Sequence, residues 1–148
     1  MSKPQEYKQI YQTTQIVQCT PNPPPNPPPN GNGGIIDIKL NIPFTPKYFE
    51  VQMYVSNVPA VNTFAGNILY ICKAPSLVEQ TQLCLCNDGG NYSPYFHYTN
   101  TSNRDYNGTH RLQFVDVVNT PIDGNEVFAL TFTFYAVSYT HLTLPTKA

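Results

Sequence analysis

The residues that could carry catalytic chemistry are few and are spread along the chain. Of the three histidines, His97 and His110 lie in the central part of the sequence, and Asp105 and His110 flank a predicted turn. A nucleophile must lie within hydrogen-bonding reach of its base, and no serine or cysteine stands beside this pair in the sequence. The chain also lacks Gly-x-Ser-x-Gly, His-Glu-x-x-His and phosphate-binding glycine-rich motifs. We therefore predict that the protein is not an enzyme.

Two of the four cysteines, Cys84 and Cys86, could place their thiols on one face of a strand. Cys72 or His97 could approach from neighbouring strands and complete a tetrahedral zinc site. Structural zinc sites more often space their cysteines by two to four residues, whereas a buried free cysteine behaves as a small apolar side chain. We favour buried free cysteines, and we expect no metal and no cofactor.

The tyrosine-rich segment between residues 92 and 106 is the best candidate for a binding surface. Tyr92, Tyr95, Tyr98 and Tyr106 are interleaved with amide and hydroxyl side chains. A tyrosine presents a rigid apolar ring with a polar tip, which suits stacking on a sugar or contact with another protein. The alternative interpretation is that these tyrosines only close one end of the domain.

The elements that must position these residues are predicted to be strands. In the run from residue 126 to residue 135, Phe128, Leu130, Phe132 and Phe134 recur at every second position, so they line one face of an extended strand. Comparable stretches begin near residues 35, 48, 67, 81, 95 and 110, and turn residues separate them. We predict an all-β fold, a single β-sandwich of about seven or eight antiparallel strands. Uneven connections and a long N-terminal arm favour a jelly roll.

The two ends of the chain differ from this domain in composition. Residues 1–34 are predicted to form a flexible arm followed by a Pro/Gly-rich linker, because clustered prolines cannot join a helix or a central strand. The arm either reaches a neighbouring subunit or is a leader without a specific contact, and a β-prone patch at residues 15–19 suits the first alternative. Residues 35–136 form the predicted sandwich. Residues 137–146 resemble a translated sequencing adapter, so we interpret residues 137–148 as a non-native tail.

Composition and charge narrow the classes of partner. A formal net charge of −1 supplies no basic surface for nucleic acid and no polybasic membrane patch. We expect neither a signal peptide nor a transmembrane segment, so we interpret the glycosylation sequons at Asn91, Asn100 and Asn107 as features of polar loops.

Five short stretches carry a family resemblance. The residues at 46–55, 66–71, 77–78, 107–114 and 128–132 follow an order that is similar to small β-sandwich proteins of aquatic large DNA viruses and polinton-like viruses. The resemblance implies a virion or capsid-associated structural protein, a minor capsid or decoration subunit, that is assembled in the host cytosol. The expected partners are further copies of the chain or other capsid proteins. The alternative function is a carbohydrate-binding module that holds a glycan through the four tyrosines.

Overall fold

The computed structural model describes residues 4–21, 31–57, 68–79, 82–88 and 92–141, and these residues form strands, turns and loops. The strands, in chain order, are β1 (Pro4–Gln18), β2 (Ile35–Leu40), β3 (Tyr48–Asn57), β4 (Leu69–Lys73), β5 (Gln82–Asn87), β6 (Phe96–Thr99), β7 (Gly108–Val115) and β8 (Val127–His141). Within these ranges, no helix is long and apolar enough to cross a membrane.

The pairing of the strands follows one rule from the ends of the chain inward. β1 pairs with β8, β2 with β7, β3 with β6 and β4 with β5, each time antiparallel. This is the pairing of one long hairpin ribbon, and rolling the ribbon up adds the contacts β3·β8 and β4·β7. The result is two four-stranded sheets, β1-β8-β3-β6 (the first sheet) and β2-β7-β4-β5 (the second sheet). The predicted all-β sandwich is confirmed, and its strand order is that of a jelly roll.

The core lies between the two sheets and is built from the alternating positions that define the strands. Phe128, Leu130, Phe132 and Phe134 are each 0% exposed, and they share the inner face of the first sheet with Phe49. Across the core, Phe114 of β7 stacks on Phe128 with ring centroids 4.7 Å apart. Stacked and edge-on rings at such distances stabilise a core beyond the burial of their area.

Part of the N-terminal segment that was predicted to be a flexible arm is a strand of the first sheet. Residues 4–18 form β1, which pairs with β8 in one constant register from Pro4↔His141 to Gln18↔Val127. Tyr11 and Val17 of β1 point inward and extend the inner face at the edge of the first sheet. At this edge, not every inward side chain has to be apolar. The domain therefore begins before residue 35. The proline run at residues 22–30 lies outside the described residues.

The last strand extends past residue 136, and the non-native origin of residues 137–148 stays a prediction. β8 continues through residues 137–141 and pairs there with the first residues of β1, so five adapter-like residues prolong the strand. Continued alternation after Tyr135 explains this extension, since any alternating segment can prolong a ladder. Residues 142–148 are outside the described part of the chain.

The ends of the sandwich are closed by loops whose polar groups are satisfied by side chains. The loop from residue 100 to residue 107 crosses from the first sheet to the second, and Asn100 is its anchor. The Asn100 amide nitrogen donates to the carbonyl oxygens of Pro46 and Arg104, while its amide oxygen accepts from the backbone amide of Arg104. At the loop's end, Asn107 bonds both the backbone amide and the carbonyl of Ile42. This loop positions Tyr106, which is discussed below.

Candidate functional site

The four tyrosines of the predicted binding surface are divided by the structure into two pairs. Tyr92 and Tyr95, which precede β6, are 51% and 66% exposed. Tyr98 is on the inner side of β6 and half-buried, and Tyr106 is 3% exposed. Because side chains alternate along β6, the outward position next to Tyr98 is taken by His97. The four rings therefore do not form one surface.

Tyr98 and Tyr106 are held by contacts within the domain. The Tyr98 hydroxyl donates to the carbonyl oxygen of Leu83 at 2.5 Å, which joins the edge of the first sheet to β5 of the second. Tyr106 packs edge-on against Phe49 with ring centroids 5.4 Å apart, and the Arg104 guanidinium lies 5.0 Å from the Tyr106 ring centroid. Burial raises the pKa of Tyr98 to about 12 and also raises the pKa of Tyr106, an effect that Arg104 partly opposes. Both phenols remain neutral at physiological pH.

A cleft of about 250 Å³ lies against these two residues, at the open corner between β6 and the 100–107 loop. Its wall includes Leu77, Glu79, Tyr98, Thr99 and Arg104. Arg104 also donates to the carbonyl oxygens of Leu77 and Ser76, so much of its hydrogen-bonding capacity is used within the protein. Small-molecule pockets usually measure roughly 300–1,000 Å³ and are mostly apolar, so this cleft is small for a ligand site.

A row of aromatic rings crosses the outer face of the first sheet, and the sequence prediction did not include it. Tyr135 of β8 stacks on Tyr48 of β3 with ring centroids 4.7 Å apart, and Tyr48 lies 5.0 Å from the ring of His97 on β6. Lys8 of β1 lies with its ammonium 5.6 Å from the Tyr135 ring centroid. The row could have been found from strand alternation. Tyr48 and Tyr135 are adjacent in sequence to Phe49 and Phe134, which point inward, so both tyrosines must point outward.

The chemistry of this row favours contact with a protein over stacking on a sugar. A sugar ring packs on the exposed face of an aromatic ring, and in the row the faces of Tyr135 and Tyr48 cover one another. Tyr135 has a raised pKa, first because of its partial burial and then because of the nearby Glu50 carboxylate. The same outer face carries Ile10 and Ile16 of β1, which are 58% and 72% exposed. An exposed face with aliphatic and tyrosine side chains is typical of protein contact surfaces.

The cysteines occupy the core. Cys84 and Cys86 lie on one face of β5, as their spacing predicts, and Cys72 of β4 is directly opposite Cys84. All four cysteines are free and buried. Burial raises the pKa of Cys19 and of Cys86 to about 12. Among the described residues, no group of three or more His, Cys, Asp or Glu side chains is arranged to hold a metal ion.

One serine–histidine pair was not foreseen from the sequence. The Ser76 hydroxyl lies 2.8 Å from His110 Nδ1, and His110 Nε2 lies 2.6 Å from the carbonyl oxygen of Tyr106. Nε2 therefore carries the proton and donates it to the carbonyl, so Nδ1 accepts from the serine. His110 is only 5% exposed, and Asp105 accepts instead from the backbone amide of Asn107. The pair fastens the 74–79 turn to β7, which is a structural role.

Two of the three sequons have side-chain amides that are engaged in the fold. Asn100 is 5% exposed, and both of its amide atoms are hydrogen-bonded as described above. Asn107 likewise uses its amide nitrogen and oxygen on Ile42. Glycosylation needs a free amide nitrogen, so these two positions are poor acceptors. Asn91 is outside the described residues.

Comparison of the chain with models of protein families, with curated proteins and with solved structures found no match.

Proposed function

We propose that this protein is a non-enzymatic structural subunit of a virus particle, a minor capsid or decoration protein that acts by self-association. The fold is compatible with this role, because eight-stranded jelly rolls occur in viral capsid proteins, although they also occur in lectins and in enzymes. The support must therefore come from the surface of this chain.

The observation that carries the proposal is the first sheet's long edge strand. β1 runs for 15 residues, and among the described strands only β8 pairs with it. Its other edge presents backbone donors and acceptors, and soluble proteins usually shorten, bend or charge such an edge because it recruits other strands. Ile10 and Ile16 add exposed apolar surface on the same strand. A chain that associates through strands needs such an edge.

Size-exclusion chromatography with light scattering tests the self-association. We expect a mass that is a multiple of the single chain and that falls on dilution. A monomer at every concentration would remove the proposal. Electron microscopy of the purified oligomer, and the presence of a major capsid or packaging-ATPase gene beside this one, test the viral assignment separately.

A carbohydrate-binding module is the second candidate, and the exposure of Tyr92 and Tyr95 favours it. Both rings stand out from the segment before β6, where a sugar could stack on them. A glycan array would show a signal that Tyr95→Ala abolishes and that Val118→Ala, a change at a 74% exposed side chain in the turn after β7, leaves unchanged. Equal signals from both variants would exclude a site at Tyr95.

A further inference from the structure

Among the described residues, no strand pairs with the second edge of β1 (the free edge), which presents the backbone groups of its even-numbered residues. The amide of Cys19, in register with β8, donates to the carbonyl oxygen of Glu126 at 2.8 Å. Backbone groups of a strand point alternately to its two sides, so the odd-numbered residues of β1 bond to β8. On the opposite side, the Gln18 carbonyl accepts from the Asn32 side chain at 2.8 Å. The even-numbered residues before Gln18 therefore offer their amides and carbonyls to a further strand.

This edge is less protected than the other three edges of the two sheets. β6, at the opposite edge of the first sheet, has four residues, and β2 and β5 have six each. β1 contains no proline after Pro4, and its constant register shows no bulge along its length. Lys8 and Glu6 are its charged residues. Natural sheets use prolines, bulges, short strands and charges to block pairing, and β1 uses few of these.

The sequence of β1 is self-complementary about Thr13. Two identical edges can pair antiparallel only when each residue faces one of the same parity, because facing residues must both point their backbone groups at the partner. The pairing therefore centres on a residue. When it centres on Thr13, Ile10 of each copy faces Ile16 of the other, since both lie three residues from the centre.

The side chains agree with this register. Ile10 and Ile16 are on the outer face, so two isoleucine pairs form where each copy alone exposes 58% and 72% of these side chains. Apolar cross-strand pairs of this kind stabilise a sheet. Gln12 and Thr14 also face each other, and both can form further hydrogen bonds. The paired segment lies opposite residues 129–135 of β8, which precede the adapter-like run.

We propose that two copies of this chain join through their β1 edges, antiparallel and centred on Thr13, into a continuous eight-stranded sheet. The inference rests on the proposed self-association and specifies its geometry. The even-numbered residues from Ile10 to Ile16 supply about eight backbone hydrogen bonds, two for each hydrogen-bonded pair. The outer faces of the two sheets lie on the same side, so both aromatic rows lie on one face of the dimer, related by the two-fold axis.

Two double variants with charges at the same positions test the register. In Ile10→Lys/Ile16→Lys, the proposed pairing places like charges opposite each other twice. In Ile10→Lys/Ile16→Glu, it places opposite charges together. Like charges across a strand pair are destabilising and opposite charges are favourable. We expect the first variant to raise the dimer dissociation constant about tenfold or more relative to the second, with the gap closing at high salt.

Cross-linking gives a second measurement of the same register. The two Thr13 residues form a pair without backbone hydrogen bonds, with Cα atoms about 4.5 Å apart, which is within disulfide range. Oxidation of Thr13→Cys should give a covalent dimer, whereas Gln12→Cys, which faces Thr14 of the other copy, should give much less. Circular dichroism of each variant shows that the sandwich is retained.

The outcomes separate the two proposals. A wild-type protein that is monomeric at all concentrations overturns both of them. An oligomer that is equally stable in both charge variants, and that Thr13→Cys does not cross-link, overturns the β1 pairing and leaves self-association through another surface. Tighter association of Ile10→Lys/Ile16→Glu together with the Thr13→Cys cross-link supports the proposed register.

Discussion

Replacement of Phe128 by alanine tests whether rings from both sheets hold the sandwich together. Phe128 of β8 is 0% exposed, stacks on Phe114 of β7 at 4.7 Å and meets Tyr70 of β4 edge-on at 5.0 Å. Loss of a buried phenylalanine side chain costs about 3–5 kcal/mol, because the transfer free energy is lost and a cavity remains. Each ring contact adds about 0.5–1.5 kcal/mol beyond area burial, so the upper part of that range is expected.

Urea unfolding measures this cost. The chain has 11 tyrosines and no tryptophan, so tyrosine fluorescence and far-ultraviolet circular dichroism follow the transition. The free energy of unfolding should fall by about 4 kcal/mol at an unchanged m-value, and the Tm should fall by about 10–20 °C. Val118→Ala, at a position that is 74% exposed, should change stability by less than about 0.5 kcal/mol.

A double-mutant cycle shows how much of this loss comes from the stack between Phe128 and Phe114. Phe128→Ala and Phe114→Ala should be non-additive by about 1 kcal/mol, since the stacked pair is lost only once. A loss below about 1 kcal/mol for Phe128→Ala would refute the interpretation, because such a loss is typical of a side chain that water already reaches.

Further outcomes are expected from single changes. Gly34→Ala should destabilise the protein more than Gly108→Ala, as measured by thermal melts of the two variants. Both glycines have positive φ, but an added Cβ at Gly34 lies 2.7 Å from a backbone oxygen, whereas at Gly108 it meets open space. The free energy of unfolding should fall as pH rises above about 9. The thiols of Cys19 and Cys86 ionise there in the unfolded chain, whereas in the fold they remain neutral until about pH 12. Urea midpoints measured at several pH values should therefore fall less in Cys86→Ala than in wild type. Tyr70→Phe should be neutral or stabilising by up to about 1 kcal/mol in the same assay, because the buried Tyr70 hydroxyl has no hydrogen-bond partner among the described residues.

Local alternation was sufficient to predict most strands but not the sheet to which each belongs. The run around Phe128 and Phe132 was recognised because its core-facing positions are all large and apolar. Asn107-Gly108, in contrast, is typical of a tight hairpin turn. In the structure β6 and β7 lie in different sheets, so Gly108 begins a strand after a loop that passes from the first sheet to the second at one end of the sandwich. Sheet membership depends on contacts that are distant in sequence.

β1 was missed over most of its length for a related reason. An edge strand can place polar side chains at inward positions, and Thr13 and Gln15 do so, which removes the period of two from the sequence. The sequence prediction of the tyrosine site did not determine which rings point inward and which point outward. Composition placed Tyr95 and Tyr98 in one group, but only the pairing of β6 with β3 determines that Tyr98 faces inward.

The two sides of the sandwich differ in how their edge strands are covered, and this limits the kind of assembly that the chain can form. On one side, the Tyr98 hydroxyl bonds β5 across the gap, so the short edges of β5 and β6 are tied together. On the other side, the Asn32 side chain bonds the Gln18 carbonyl, and no other described strand pairs with the free edge of β1 before it. A two-fold contact through residues 10–16 is complete with two copies, because both copies contribute the same strand. Strand pairing alone therefore gives a closed dimer, and assembly into a shell requires a second surface. The outer aromatic row with Tyr48 and Tyr135, which the dimer would double, is the surface that the described residues offer for that contact.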